Sequence, residues 1–115
     1  LIDDDMDGLD TDKRLIVYGS LVPGGMYHFL LADLPGTWEE CVINGRMGEY
    51  WGFKAFQYDP GGPEHPAWLF TSAALPERFP ELDAFEGEPY QRNVIPAQVG
   101  ERTVLAHIYE GVEIE

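Results

Sequence analysis

Between Leu82 and Arg92 the chain has to stop a helix, turn and start a strand within a few residues. Pro80 has the fixed φ of a first helical position, Gly87 can take the left-handed conformation that closes a helix, and Pro89 cannot continue one. A strand then opens at Tyr90. Inside the helix, Leu82, Phe85 and Glu86 stand at i, i+3 and i+4 and share a face. A carboxylate therefore occupies a place where the apolar pattern asks for a core residue. Left unpartnered there, it would cost roughly several kcal/mol, so burial drives Glu86 towards its neutral form. Asp83 and Glu88, if charged, push the same way. A glutamate raised in this manner is fit to take up a proton and return it near neutral pH. The spacing also allows a structural arrangement, in which Glu86 turns outward at a frayed helix end or pairs with Arg92.

The rest of the chain falls into short segments around this hinge. Leu15-Ile16-Val17-Tyr18, stopped by Gly19, reads as a buried strand. Gly19-Ser20-Leu21 forms a turn that Val22-Pro23-Gly24-Gly25 extends, and Met26 to Ala32 favours helix, with Met26, Phe29 and Leu30 on one face. Thr37 to Ala74 reads as antiparallel β structure. Asn44-Gly45 signals a turn or bulge, and Asp59-Pro60-Gly61-Gly62-Pro63 a loop. Strands are expected over Thr37–Asn44, Gly52–Tyr58 and Ala67–Thr71. A second helical region runs from Leu75 to Gly87, broken or restarted at Pro80. Tyr90–Val99 and Arg102–Glu110 flank Gly100-Glu101, which suits a type II′ hairpin. The order β, α, several β, α, two β predicts an α+β fold, a mixed sheet curled into a small barrel with two helices outside. Short, aromatic strands close around side chains, and the barrel mouth is a natural pocket.

Charge narrows the partners. The 115 residues carry 21 acidic against 7 basic side chains, a formal net charge of −14. Six of the acids are Asp3, Asp4, Asp5, Asp7, Asp10 and Asp12, so the expected organisation is an acidic arm over residues 1–13 and one domain over residues 14–115. Such a surface repels phosphate backbones and anionic lipid heads, which argues against nucleic acid and membrane partners. No run is long enough to span a bilayer and no signal-peptide pattern is present, so a cytoplasmic location is the expectation. Cys41 is the single cysteine. No internal disulfide or thiolate metal cluster is therefore available within the chain.

Candidate chemistry concentrates in two places. Glu86 is one. The other is the turn after the first strand, where the N–H groups of Gly19, Ser20 and Leu21 have no ladder partners and can form a nest for an anion or oxyanion. It is neither a Walker loop nor a dinucleotide fingerprint, and an ordinary strand-to-loop turn has the same composition. Ser20 lacks a nucleophile elbow. His28, His65 and His107 show no metal-ligand spacing and no orienting acid in the sequence, and His107 reads as a core histidine. Tyr90 and Arg92 face one side of their strand. Tyr90 either reaches a ligand or Glu86 with its hydroxyl or is a core aromatic; Arg92 either holds a carboxylate or pairs with Glu88.

Val17-Tyr18-Gly19-Ser20-Leu21, then Gly25 and His28, then Leu82-Asp83-x-Phe85-Glu86-Gly87 and Tyr90-x-Arg92 with Val94, together resemble the γ-glutamyl cyclotransferase-like, or AIG2-like, family over Leu15 to Glu110. The resemblance implies a mixed barrel with helices and a pocket at the Tyr18–Leu21 loop. It implies a catalytic role for Glu86 and binding of the substrate's α-amino-acid end by Gly19, Ser20 and Leu21, with Tyr18 and Tyr90 alongside. It implies cleavage of a small-molecule γ-glutamyl amide by cyclisation to 5-oxoproline, with neither metal nor cofactor. Glu49-Tyr50-Trp51-Gly52 stands where many relatives carry a Tyr-Pro pair, so the resemblance leaves that pocket wall open. Two other readings are a catalytically silent domain that binds a small ligand or a partner and a hydrolase acting through Ser20. The sequence does not fix the oligomeric state.

Overall fold

The computed structural model describes residues 10–113. Its first strand, β1 (Arg14–Val17), is buried on both faces, as an unbroken apolar run demands. Ile16 joins the barrel interior, whereas Leu15 and Val17 join the layer beneath the helices. The loop that follows leads into α1 (Phe29–Ala32), and then come β2 (Thr37–Tyr50), β3 (Phe53–Tyr58), β4 (Glu64–Thr71), α2 (Leu75–Glu86), β5 (Tyr90–Val99) and β6 (Arg102–Gly111). The sheet order is β3-β2-β4-β1-β6-β5, and a β2–β5 pairing at Val42 and Gln98 closes it into a barrel. β1 and β6 are parallel, and the other pairs are antiparallel. The fold is the small mixed barrel with two flanking helices that the segment order predicts.

Two apolar cores result. Ile16, Ile43, Phe56, Leu69, Val104 and Ile108 fill the barrel. Leu15, Leu31, Phe70, Leu75, Phe79 and Leu82 pack the helices onto its outside. Each large apolar side chain fully buried in either contributes about 1.5–3 kcal/mol.

Three local expectations are corrected. Asn44-Gly45 is no turn but lies within the 14-residue β2. A Cβ on Gly45 would overlap the Gln57 carbonyl oxygen and the Phe56 ring, so glycine serves close packing there. The reversal comes later, at Trp51-Gly52. α2 runs unbroken through Pro80. Pro80 and Pro76, the residue whose carbonyl Pro80 cannot bond, are both exposed. Helix α1 is a single turn rather than Met26–Ala32; the Tyr27 N–H is drawn back to the Ser20 carbonyl at 2.9 Å, and Met26 and Phe29 lie exposed. At the β5–β6 turn, Gly100 has φ +61° while Glu101 is not among the positive-φ residues, which fits the type II′ expectation.

Of the acidic arm, residues 1–9 lie outside the described residues. Thr11–Lys13 form a 3₁₀ turn ahead of β1, with Asp10 near Lys13 and Arg14 and Asp12 against His107.

Candidate active site

The end of β1, the last turn of α2 and the start of β5 meet around one cavity of about 510 Å³. Tyr18, Gly19, Ser20, Leu21, Glu86 and Tyr90 all line it. The loop after β1 is folded tightly. The Val22 N–H reaches the Gly19 carbonyl at 3.3 Å and the Gly25 N–H the Val22 carbonyl at 2.7 Å. A Cβ on Gly25 would come within 2.5 Å of the Ser20 carbonyl oxygen, so this glycine permits the fold-back. His28 braces the same loop: its Nδ1 lies 3.1 Å from the Leu21 carbonyl oxygen, so that nitrogen carries the proton, and its ring packs on Trp38. Held this way, the N–H groups of Gly19, Ser20 and Leu21 have no hydrogen-bond partner among the described residues. They remain available to an anion or a developing oxyanion.

Across the cavity stands Glu86. It is partly buried, and among the described residues no hydrogen bond or ion pair reaches its carboxylate. Burial pushes its pKa from the ordinary 4.5 up to about 7. Asp83 and Glu88 do not drive that shift, contrary to expectation. Arg92 neutralises the first, and the second is exposed. Three tyrosines surround the acid. Burial raises the pKa of Tyr18, Tyr90 and Tyr109, and the nearby Glu86 charge adds to each shift. Their hydroxyls are engaged within the protein. Tyr18 donates to the Tyr109 carbonyl and accepts the Phe56 N–H, Tyr90 donates to the Lys54 carbonyl at 2.9 Å, and Tyr109 donates to Asp83 Oδ1 at 2.6 Å. Tyr90 therefore does not bond Glu86.

Solved structures share this arrangement of strands and helices. An AIG2-like protein from Mus musculus superposes with a TM-score of 0.71 at 22% identity, covering 87% of this chain and 77% of that one. A protein from Arabidopsis thaliana gives 0.68 at 17% identity, over 87% and 68% of the two chains. An uncharacterized protein from Pyrococcus horikoshii gives 0.60 at 16%, over 89% and 80%. The chain has the AIG2-like fold. Neither a protein-family model nor a curated protein sequence matches it.

Within this AIG2-like fold, Arg92 belongs to the scaffold. It pairs with Asp83 through Nε at 2.8 Å and Nη2 at 3.2 Å, not with Glu88 or Glu86, and its guanidinium lies 4.1 Å from the Phe79 ring centre. His107 is buried, as expected of a core histidine, yet it has an acid partner that the sequence concealed. Its Nε2 lies 2.7 Å from Asp12 Oδ1, across 95 residues of chain, and its Nδ1 lies 3.1 Å from Arg92 Nη1. No histidine lines the cavity among the described residues. No group of three or more side chains able to hold a metal occurs among them either, and no helix is long and apolar enough to cross a membrane.

Sequence reasoning missed Tyr109, which lines the cavity and ties it to Asp83, and the aromatic residues Tyr27 and Phe53; Tyr50 and Trp51 form the pocket wall that the resemblance left open. Tyr109 was detectable in principle. It sits out of phase with the barrel-facing Val104, Ala106 and Ile108 on β6, hence on the helix side of the sheet. The aromatic wall depends on the length of β2, which the Asn44-Gly45 signal obscured.

Proposed function

We propose that the protein cleaves a γ-glutamyl amide by intramolecular cyclisation, releasing 5-oxoproline and a free amine. The observation that carries this reading is an unpartnered, partly buried acid, Glu86, sharing one cavity with the three open N–H groups of the Gly19–Leu21 loop. The nucleophile belongs to the substrate. Its α-ammonium loses a proton, the α-amine attacks the γ-carbonyl carbon, and a five-membered ring with a tetrahedral oxyanion forms. Collapse of that intermediate breaks the bond to the leaving nitrogen, which takes up a proton as it departs. Glu86, as carboxylate, accepts the proton from the ammonium and passes it to the leaving amine; the ring nitrogen sheds its second proton as the lactam forms, and the released amine takes it up to leave as an ammonium ion. A positioned acid–base of this kind contributes roughly 10²–10⁴-fold.

Folding the glutamyl chain back on itself supplies the rest, since well-oriented intramolecular attack reaches effective molarities on the order of 10⁵–10⁸ M. Gly19, Ser20 and Leu21 hold the α-amino-acid end of the substrate or its oxyanion through their N–H groups, and the rings of Tyr18 and Tyr90 bound the space. The pKa of about 7 suits the task because the carboxyl can both accept and return a proton near neutrality. The likeness in fold to the mouse AIG2-like protein supports the reading. A hydrolase acting through Ser20 would need a base hydrogen-bonded to its hydroxyl, and among the described residues no side chain makes that bond.

The test is to incubate the protein with a γ-glutamyl amine, a γ-glutamyl amino acid and glutathione, and to measure 5-oxoproline. The reading predicts product from at least one of them. No product from any, with tight binding of one, would instead identify a silent binding domain.

A further inference from the structure

The β2–β3 turn breaks two local rules at once. Its central residues are Trp51 and Gly52, with φ of +54° and +84°, and Tyr50 pairs with Phe53 across it. Positive φ at both positions is what a tight type I′ hairpin needs, and asparagine, aspartate or glycine normally supplies it at the first. A bulky ring in that conformation crowds its own backbone. Burial does not offset the strain, because Trp51 is 86% exposed. A residue that costs the fold in both backbone conformation and apolar exposure marks function rather than stability. Trp51 also lines the cavity that holds Glu86.

Its neighbours extend the same surface. Phe53, from the start of β3, and Phe85, from the last turn of α2, line the cavity while remaining 48% and 40% exposed. Tyr27 meets Phe85 edge-on with ring centres 4.9 Å apart. Among the described residues, Lys54 is the one cationic side chain on the cavity wall, and no ion pair engages it. The groups suited to a glutamyl unit, Glu86 and the Gly19–Leu21 loop, are less exposed than Trp51. A cavity of about 510 Å³ has room beyond that unit, within the range of about 300–1,000 Å³ typical of sites that enclose a whole small molecule.

Resting on the cyclisation reading, the geometry points to a leaving-group subsite in which Trp51, with Phe53 and Phe85, holds an amine carrying an uncharged aromatic or branched aliphatic group. The ring faces supply apolar contact to that group as the glutamyl end enters the polar part of the cavity. The Lys54 ammonium repels an amine whose far end is cationic.

Three amides test this: γ-glutamyl phenethylamide, γ-glutamyl methylamide and γ-glutamyl 4-aminobutylamide, with 5-oxoproline as the readout. The protein should favour the phenethylamide over both others by about tenfold in kcat/KM, the size expected of one good aromatic contact. Trp51→Asn should melt at the same temperature as the parent protein or higher, since asparagine suits the turn. Yet it should lose about tenfold of the phenethylamide-to-methylamide preference. Trp51→Phe, which keeps a ring, should retain most of it. Equal use of the phenethylamide and the methylamide, a preference for the cationic amide, or equal losses for both substrates in Trp51→Asn would each overturn the subsite while leaving cyclisation intact. No product from any of the three amides would remove the subsite, and no product from a γ-glutamyl amino acid or glutathione either would remove the cyclisation reading with it.

Discussion

Asp83 and Glu86 lie within one turn of α2 and have opposite surroundings. Asp83 is the more exposed, with 44% of its side chain open to solvent, yet it is fully partnered: Arg92 grips both carboxylate oxygens and the Tyr109 hydroxyl bonds one of them. The hydrogen bond from Arg92 leads in holding its pKa below the ordinary range. Glu86 is less exposed, has no partner among the described residues, and is pushed up to about 7. A helix end shaped only for stability would give its partners to the more buried acid, because an unpaired buried charge is the costlier one. Here the scaffold is built on Asp83, whose contacts reach through Arg92 and His107 to Asp12. Glu86 is left open to the cavity.

The contrast is broken most sharply by exchanging what each acid can do. Glu86→Gln should fold normally and lose about two orders of magnitude or more in 5-oxoproline release; equal turnover would take Glu86 out of the mechanism. Asp83→Asn should do the reverse in kind, lowering stability by about 1–3 kcal/mol in denaturant unfolding at neutral pH while costing less in rate than Glu86→Gln. Unchanged stability would mean that the Arg92–Asp83–Tyr109 contacts do not brace α2.

The third effect is smaller and rests on sign. Glu86 holds its proton up to about pH 7 in the folded chain but releases it near 4.5 when unfolded. The folded state therefore binds the extra proton between those values, and stability falls as pH rises across that window. Asp83 behaves oppositely: its contribution is present above its unfolded value of 3.8 and is lost as pH falls through its lowered folded value. Melting curves should accordingly show Glu86→Gln gaining on the parent protein from about pH 4.5 to about pH 7 and holding a constant lead beyond. A constant difference across the whole range would mean that Glu86 ionises alike in both states.

Much of this is legible in the sequence. The buried β1, the hinge at Gly87-Glu88-Pro89 and the β5–β6 hairpin follow from β-branched runs and from glycine and proline placement, which act locally. What stayed hidden depends on contacts distant in sequence. Gly45 looks like half of a turn until Gln57 and Phe56 are seen pressed against it. Pro80 looks like a helix break until it is found on the exposed face of a continuous α2. On the site side, Glu86 stood out because a carboxylate sat in an apolar phase of α2. The neighbouring Phe85 shared that phase, yet it is 40% exposed and walls the cavity instead of joining the core. The partner of His107 could not be read at all, since Asp12 lies at the other end of the chain. Trp51 was visible as a residue but not as a strained one, because its φ depends on where β2 ends.

The most direct measurement is a carbon-13 titration of the side-chain carboxyls, following Glu86 and Asp83 in one sample. The account predicts a midpoint for Glu86 at about pH 7 and one for Asp83 below its ordinary 3.8. A Glu86 midpoint near 4.5 would contradict it, for the acid would then be solvated like any surface glutamate and would have no special fitness to carry the proton.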